Sequence, residues 1–286
     1  MTTGALTAAL TRLVPLTLAG AMATARTHCD PACFTYHASW RLFRRTGLKG
    51  SPAWHTGFYQ RALAEADLPA RVRVLVCAAS DEAMINFMAR QLGAQRLEVH
   101  LVDACRTPLV LAQAYAKRHR IALTCTRSTA PELEGLQGPF DLIVTDGLMA
   151  LLPRTADRDA LADRLSTLLT PSGTVLYTAR IAGPAGVLEF DRIGRIIQGA
   201  AARWAWPGPP EQRRALAKAT LTRPSRPAPF TSSHAVAQVF TGPFGAVRVL
   251  QRTSPGSTAV ALHPASRHRR ASTSVGVAAT RPRRSA

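Results

Sequence analysis

The stretch VRVLVCAASDEAMINFMARQLG, residues 72–93, sets the architecture. Val72 to Cys77 is almost continuously apolar and β-branched, the pattern of a strand covered on both faces. Glu82 to Leu92 follows as a helix that Gly93 stops. Between them lies CAASD, a short linker of small and polar residues. Strand, small-residue turn and helix together make the opening unit of an α/β fold.

Working outward, the same unit recurs. Leu97–Val102 is a second strand and Pro108–Arg118 a second helix. Ile121–Cys125 is a third, short strand, and Phe140–Thr145 a fourth. Arg158–Leu169 is the next helix, and Thr174–Thr178 a fifth strand introduced by the turn at 171–173. Alternating elements with strands too apolar to face water predict a mostly parallel sheet with helices on both faces. The crossover at 127–139 is short and rich in Gly and Pro, so no helix is expected there. Upstream, Phe58, Ala62 and Leu63 give 57–67 an apolar helical face, and Pro69 ends it. Downstream, a helix over Val187–Trp204 breaks at 206–210, and residues 222–229 form a Pro/Arg-rich loop. A further helix, Ser232–Phe240, starts from a Ser232 or Ser233 cap. Ala246–Gln251 and Thr258–Leu262 read as a closing hairpin.

The 286 residues suffice for one large α/β domain with tails, and 47% hydrophobic composition excludes a wholly disordered chain. The expected organisation is a poorly structured extension over 1–39, a domain over 40–265, and a basic disordered tail over 266–286. The formal charge of +19 is uneven: residues 71–182 hold 13 basic against 11 acidic side chains, and the excess lies mainly in the flanks. Only Lys49, Lys117 and Lys218 are lysines, an Arg bias that a GC-rich genome produces without selection for binding. Nucleic acid is therefore a partner to consider through the Arg-rich flanks, not one that composition demands.

Leu13–Ala23 is apolar but too short to span a bilayer. Arg12 before it and the small residues of 21–23 have the outline of an export signal, yet Pro15 and Gly20 interrupt the run. It is read as an extension of a cytoplasmic protein without a membrane partner. Five scattered cysteines, at 29, 33, 77, 105 and 125, form no disulfide framework and suit a reducing compartment. His28, Cys29, Cys33 and His37 fall within ten residues. Zinc ligands usually come as two separated pairs, so this single run is read as coincidence and no metal is expected.

In an open α/β sheet, ligands bind beyond the carboxyl ends of the strands, where strand order reverses. Cys77, Ala78, Ala79, Ser80 and Asp81 follow the first strand, and Ser80 or Asp81 also suits a helix cap. Asp103 leaves the second strand, placed to accept hydrogen bonds from ribose hydroxyls. Ser128 and Thr129 follow the third strand, and Asp146 the fourth.

Residues 74–81, the Val102–Asp103 pair, residues 140–147 and the run LLTPSGTVL at 168–176 resemble, in order and spacing, the motifs of the class I S-adenosylmethionine-dependent methyltransferases. The resemblance spans roughly 54–263. It implies a Rossmann-like three-layer sandwich with a seven-stranded sheet ending in an antiparallel hairpin, and S-adenosylmethionine as cofactor. By the same resemblance, residues 77–81 lie against the methionine part and Asp103 holds the ribose. Ser128, Thr129 and Asp146 border the adenine and the substrate side. That family's first loop carries two or three glycines and this one carries none, which strains any position needing positive φ. It also argues against a nicotinamide dehydrogenase.

Methyl transfer asks mainly for positioning, with a base where the acceptor must lose a proton. Asp146, His55 and Tyr59 are the candidates, and Trp54 and Tyr59 also suit core packing. The near-neutral central domain favours a small-molecule acceptor. Transfer to RNA or protein through the basic flanks is one alternative. A non-catalytic Rossmann-like binding protein with an altered loop is the other.

Overall fold

The computed structural model describes residues 17–45, 55–181, 192–223, 229–253 and 273–280. Its elements are α1 (Leu18–His28), α2 (Pro31–Arg45), α3 (Thr56–Glu65), β1 (Val72–Cys77), α4 (Ala83–Leu92), β2 (Leu97–Asp103), α5 (Arg106–His119), β3 (Ala122–Arg127) and β4 (Phe140–Asp146). They continue with α6 (Thr155–Thr167), β5 (Leu169–Ile181), α7 (Arg192–Ala205), α8 (Pro210–Leu221), α9 (Ser233–Thr241), β6 (Ala246–Thr253) and β7 (Thr273–Thr280).

Among the described residues, seven strands form one sheet in the order β3-β2-β1-β4-β5-β7-β6. Strands β1 to β5 run parallel, and β7 lies antiparallel between β5 and β6. The apolar runs of the sequence follow from burial on both faces. Leu75, Ile143 and Tyr177 pack on one side, while Val74, Val76, Leu142, Val144 and Leu176 pack on the other. Chain order reverses between β1, which leads to β2, and β4. In the register, Cys77 stands opposite Val102 on one side and Thr145 on the other, so the loops leaving β1, β2 and β4 open at one edge.

Two expectations need correcting. The tail after 265 was expected to be disordered, yet Thr273–Thr280 is β7, a strand inside the sheet. Val275, Val277 and Ala279 alternate and are fully buried, a period-two signal lost among the flanking Arg, Ser and Thr. The closing pair is accordingly β6 with β7, and the expected strand at Thr258–Leu262 falls outside the described residues. Gly276 is required by contact: a Cβ there would collide with the Phe58 ring of α3.

The second correction concerns the N-terminal segment, expected to be poorly structured over 1–39. Thr17 caps α1 through the Gly20 N–H, at 2.9 Å. Both α1 and α2 then pack into a third apolar cluster, with Ala25, Phe34 and Ala38 against Ala201 and Ala205 of α7. Phe34 meets Trp206 edge-on, with ring centroids 4.9 Å apart. The buried face of α2 also holds Thr35, His37 and Ser39. No helix among the described residues is long and apolar enough to cross a membrane.

Candidate functional site

At the edge where β1, β2 and β4 end, Ala78, Ala79, Ser80, Asp103 and Asp146 are half-exposed at the ends of strands that are almost wholly buried. Ala78 turns the chain with φ of +56°, in the left-handed region that favours glycine. Its N–H bonds to the Val102 carbonyl at 2.9 Å, holding this conformation against β2. The Asp103 carboxylate accepts from the Ala79 N–H at 3.0 Å and from the Cys105 N–H at 2.7 Å. It thus fixes the two loops on each other. Each oxygen takes one of these bonds, which leaves lone pairs for a further donor. Burial pushes the Asp103 carboxyl up to about 6, against the lowering effect of the two N–H groups. Ser128 joins the group through its N–H to the Asp103 carbonyl at 3.2 Å, whereas Thr129 is exposed.

Helix α2 lies along the first loop and engages its polar residues. Tyr36 Oη and Ser80 Oγ are 2.6 Å apart, and Arg41 reaches Glu82 at 2.5 Å. Arg44 forms a bidentate pair with the buried Asp81 at 2.8 and 3.2 Å. Asp81 also accepts the Ala83 N–H at 3.0 Å, a turn contact that leads into α4. Ser80 and Asp81, expected against a cofactor, are therefore partnered by the N-terminal segment. Tyr36 was missed by sequence reasoning, as were Arg41 and Arg44. Burial pushes the Tyr36 hydroxyl up, and Asp146, Asp103 and Asp81 all act on it in the same direction. Nothing in the local sequence marks it, since its importance comes from a loop 44 residues away.

On the other side of the reversal point, the Thr178 hydroxyl of β5 donates to Asp146 Oδ1 at 2.5 Å. Its single hydrogen is used there, so the Tyr59 hydroxyl, 3.2 Å away, donates to Thr178 Oγ1. This chain orients Asp146 from a fully buried tyrosine. His55, also buried, stands at the N-terminal boundary of α3 without a side-chain capping hydrogen bond. Burial lowers its pKa, opposed by the negative charge of Asp146, so its imidazole is neutral near pH 7. The structure therefore links Tyr59 to Asp146 through Thr178, the charge of Asp146 acts on His55, and Trp54 lies outside the described residues.

No protein-family model matches the sequence, and no curated protein matches it. Several solved structures share the fold. A phosphoethanolamine N-methyltransferase of Haemonchus contortus, solved with phosphomonomethylethanolamine and S-adenosylhomocysteine, is 16% identical with a TM-score of 0.57. The match covers 88% of this chain and 59% of that one. The CurJ carbon methyltransferase is 14% identical with a TM-score of 0.56, over 98% of this chain and 70% of that one. A protein of Bordetella parapertussis described as a possible exported protein is 18% identical with a TM-score of 0.51, over 80% and 68%. The chain therefore has the Rossmann-like fold of the class I methyltransferases.

Proposed function

We propose that the protein binds S-adenosylmethionine in this cleft and transfers its methyl group to a small-molecule acceptor. The observation that carries this reading is the Asp103 carboxylate, which bridges the first two loops and retains acceptor capacity at the reversal point. In the proposed complex Asp103 accepts from the ribose hydroxyls, the backbone of Ala78 and Ala79 borders the methionine part, and Ser128 borders the adenine. The residues present fit such a ligand, since the loop closes its turn at Ala78 despite having no glycine.

The bound cofactor supplies a methyl group already activated on a sulfonium, so the protein's work is alignment and exclusion of water. Tyr36 and the α2 arginines close the cleft over the first loop. Asp146, held by Thr178 and Tyr59, faces the acceptor side and orients an acceptor hydroxyl or amine. The small-molecule assignment rests on the nearly balanced charge of residues 71–182.

One observation favours a second reading: the left-handed alanine and the absence of glycine describe an altered first loop, as in a binding protein without turnover. Incubation of the full chain with methyl-labelled cofactor and separate metabolite, RNA and protein fractions tests both readings. Label in the metabolite fraction, lost in Asp146→Ala, supports the proposal. Label confined to RNA or protein overturns the acceptor class, and no label in any fraction favours the non-catalytic reading.

A further inference from the structure

The run at residues 28–37, in which no metal was expected, loses His28 and gains Cys105 in the folded chain. Cys29 ends α1, and Cys33 and His37 sit one turn apart on α2. Cys105, 76 residues beyond Cys29, caps the first turn of α5. Their Sγ and ring nitrogen atoms all lie within 4.8 Å of one another. Cys29 Sγ is 3.3 Å from His37 Nδ1 and 3.5 Å from Cys105 Sγ, and Cys33 Sγ is 3.7 Å from Cys105 Sγ. His28 is not part of the group.

These spacings have a simple interpretation. A tetrahedral zinc ion with bonds of about 2.3 Å to sulfur and 2.05 Å to nitrogen has S···S edges of about 3.75 Å and S···N edges of about 3.55 Å. The three edges just given fall within about 0.3 Å of those values, and all six stay within 4.8 Å. The surroundings also suit thiolates. The Thr107 N–H points at Cys105 Sγ at 3.4 Å, and the Thr107 hydroxyl lies 3.1 Å from Cys29 Sγ. Cys105 stands at the positive end of α5. A disulfide explains the arrangement less well, because it uses two of the three sulfurs and leaves His37 and the third without a role. Three thiols and an imidazole converging in a largely buried position also have no packing rationale that alanine or valine would not serve better.

We propose that Cys29, Cys33, His37 and Cys105 form a structural zinc site that ties the N-terminal helices to the loop following β2. The four protein ligands complete the tetrahedron, so the ion has no open position and takes no direct part in catalysis. Its effect is mechanical. Cys105 lies two residues after Asp103, and His37 directly follows Tyr36, which meets Ser80. One ion therefore fixes α2 and the β2 loop on opposite sides of the cleft. Binding displaces the thiol protons to solvent and couples to folding of this region. The proposal stands whether or not the cleft transfers methyl groups.

The test is metal content and cobalt spectroscopy on the full chain. Protein purified without chelators from zinc-supplemented cells is expected to carry about one zinc per chain. Exchange for cobalt(II) is expected to give a thiolate-to-cobalt charge-transfer band and the intense visible bands of a tetrahedral site. Cys105→Ser should lower zinc content at least about tenfold, while Cys125→Ser, at a half-buried thiol on β3, should leave it unchanged. If Cys105→Ser does not fold, the cobalt spectrum of the wild type decides alone. Folded wild-type protein that holds no zinc and develops no thiolate–cobalt band overturns the proposal, as does a mapped disulfide joining Cys29 or Cys33 to Cys105.

Discussion

Replacing Ala78 with glycine, and separately its neighbour Ala79, isolates the strain stored in the first loop. Both residues are half-buried, so each substitution removes a methyl worth about 0.4 kcal/mol at that exposure. Each also adds unfolded-state freedom that costs about 0.5–1 kcal/mol. These contributions are common to the pair. Ala78 alone has positive φ, and an alanine in the left-handed region gives up about 1–2 kcal/mol relative to glycine. Ala79→Gly is therefore expected to destabilise by about 1 kcal/mol, and Ala78→Gly to be neutral or slightly stabilising. Denaturant titrations with a shared slope should show the two variants separated by about 1–2 kcal/mol, or about 2–8 °C in Tm for a domain of this size. Equal losses at both positions would refute the strained-turn account of this loop.

Other substitutions probe other parts of the account. Gly276→Ala drives a Cβ into the Phe58 ring and should cost about 1–3 kcal/mol, whereas Gly242→Ala meets open space and should change little; chemical denaturation compares them. Asp81→Ala removes both the acceptor of the Ala83 N–H at the start of α4 and the partner of Arg44. A loss of about 2–4 kcal/mol is expected by denaturation, with faster hydrogen exchange in α2. His55 has a folded pKa below its ordinary value of 6.5, so the unfolded chain binds its proton first. Its contribution to stability is thus complete above about pH 6.5 and is lost as the pH falls. His55→Gln should flatten that part of the stability–pH curve, and an unchanged acid limb would show that His55 is not buried as described.

Most of the sheet was legible because period and composition carry it. The runs 72–77, 97–102 and 140–145 are predominantly apolar, and their order already predicts a parallel sheet with its cleft beyond their carboxyl ends. Asp103 and Asp146 follow from that rule alone. What was not legible depends on distant partners. β7 is eight residues of small and β-branched character within an Arg-rich tail, and its strand identity comes from β5 and β6 on either side. Helix α2 buries polar and aromatic residues together, and their roles come from contacts with α7 and the first loop that form only in the folded chain. Tyr36 and Arg44 matter through Ser80 and Asp81, and Cys105 joins the cysteine run only once β2 and α5 are in place. The absence of glycine from the first loop is plain in the sequence, but that Ala78 is the residue with positive φ, where chirality makes alanine costly, comes only from the folded backbone.

Calorimetric titration of the full chain with S-adenosylhomocysteine, repeated on Asp103→Ala after circular dichroism has verified its fold, tests the cleft assignment most directly. The account predicts a dissociation constant in the micromolar range for the wild type and at least tenfold weaker binding by the variant, a loss of about 1.4 kcal/mol. Folded wild-type protein that takes up no ligand, or a variant that binds as well as the wild type, would contradict it.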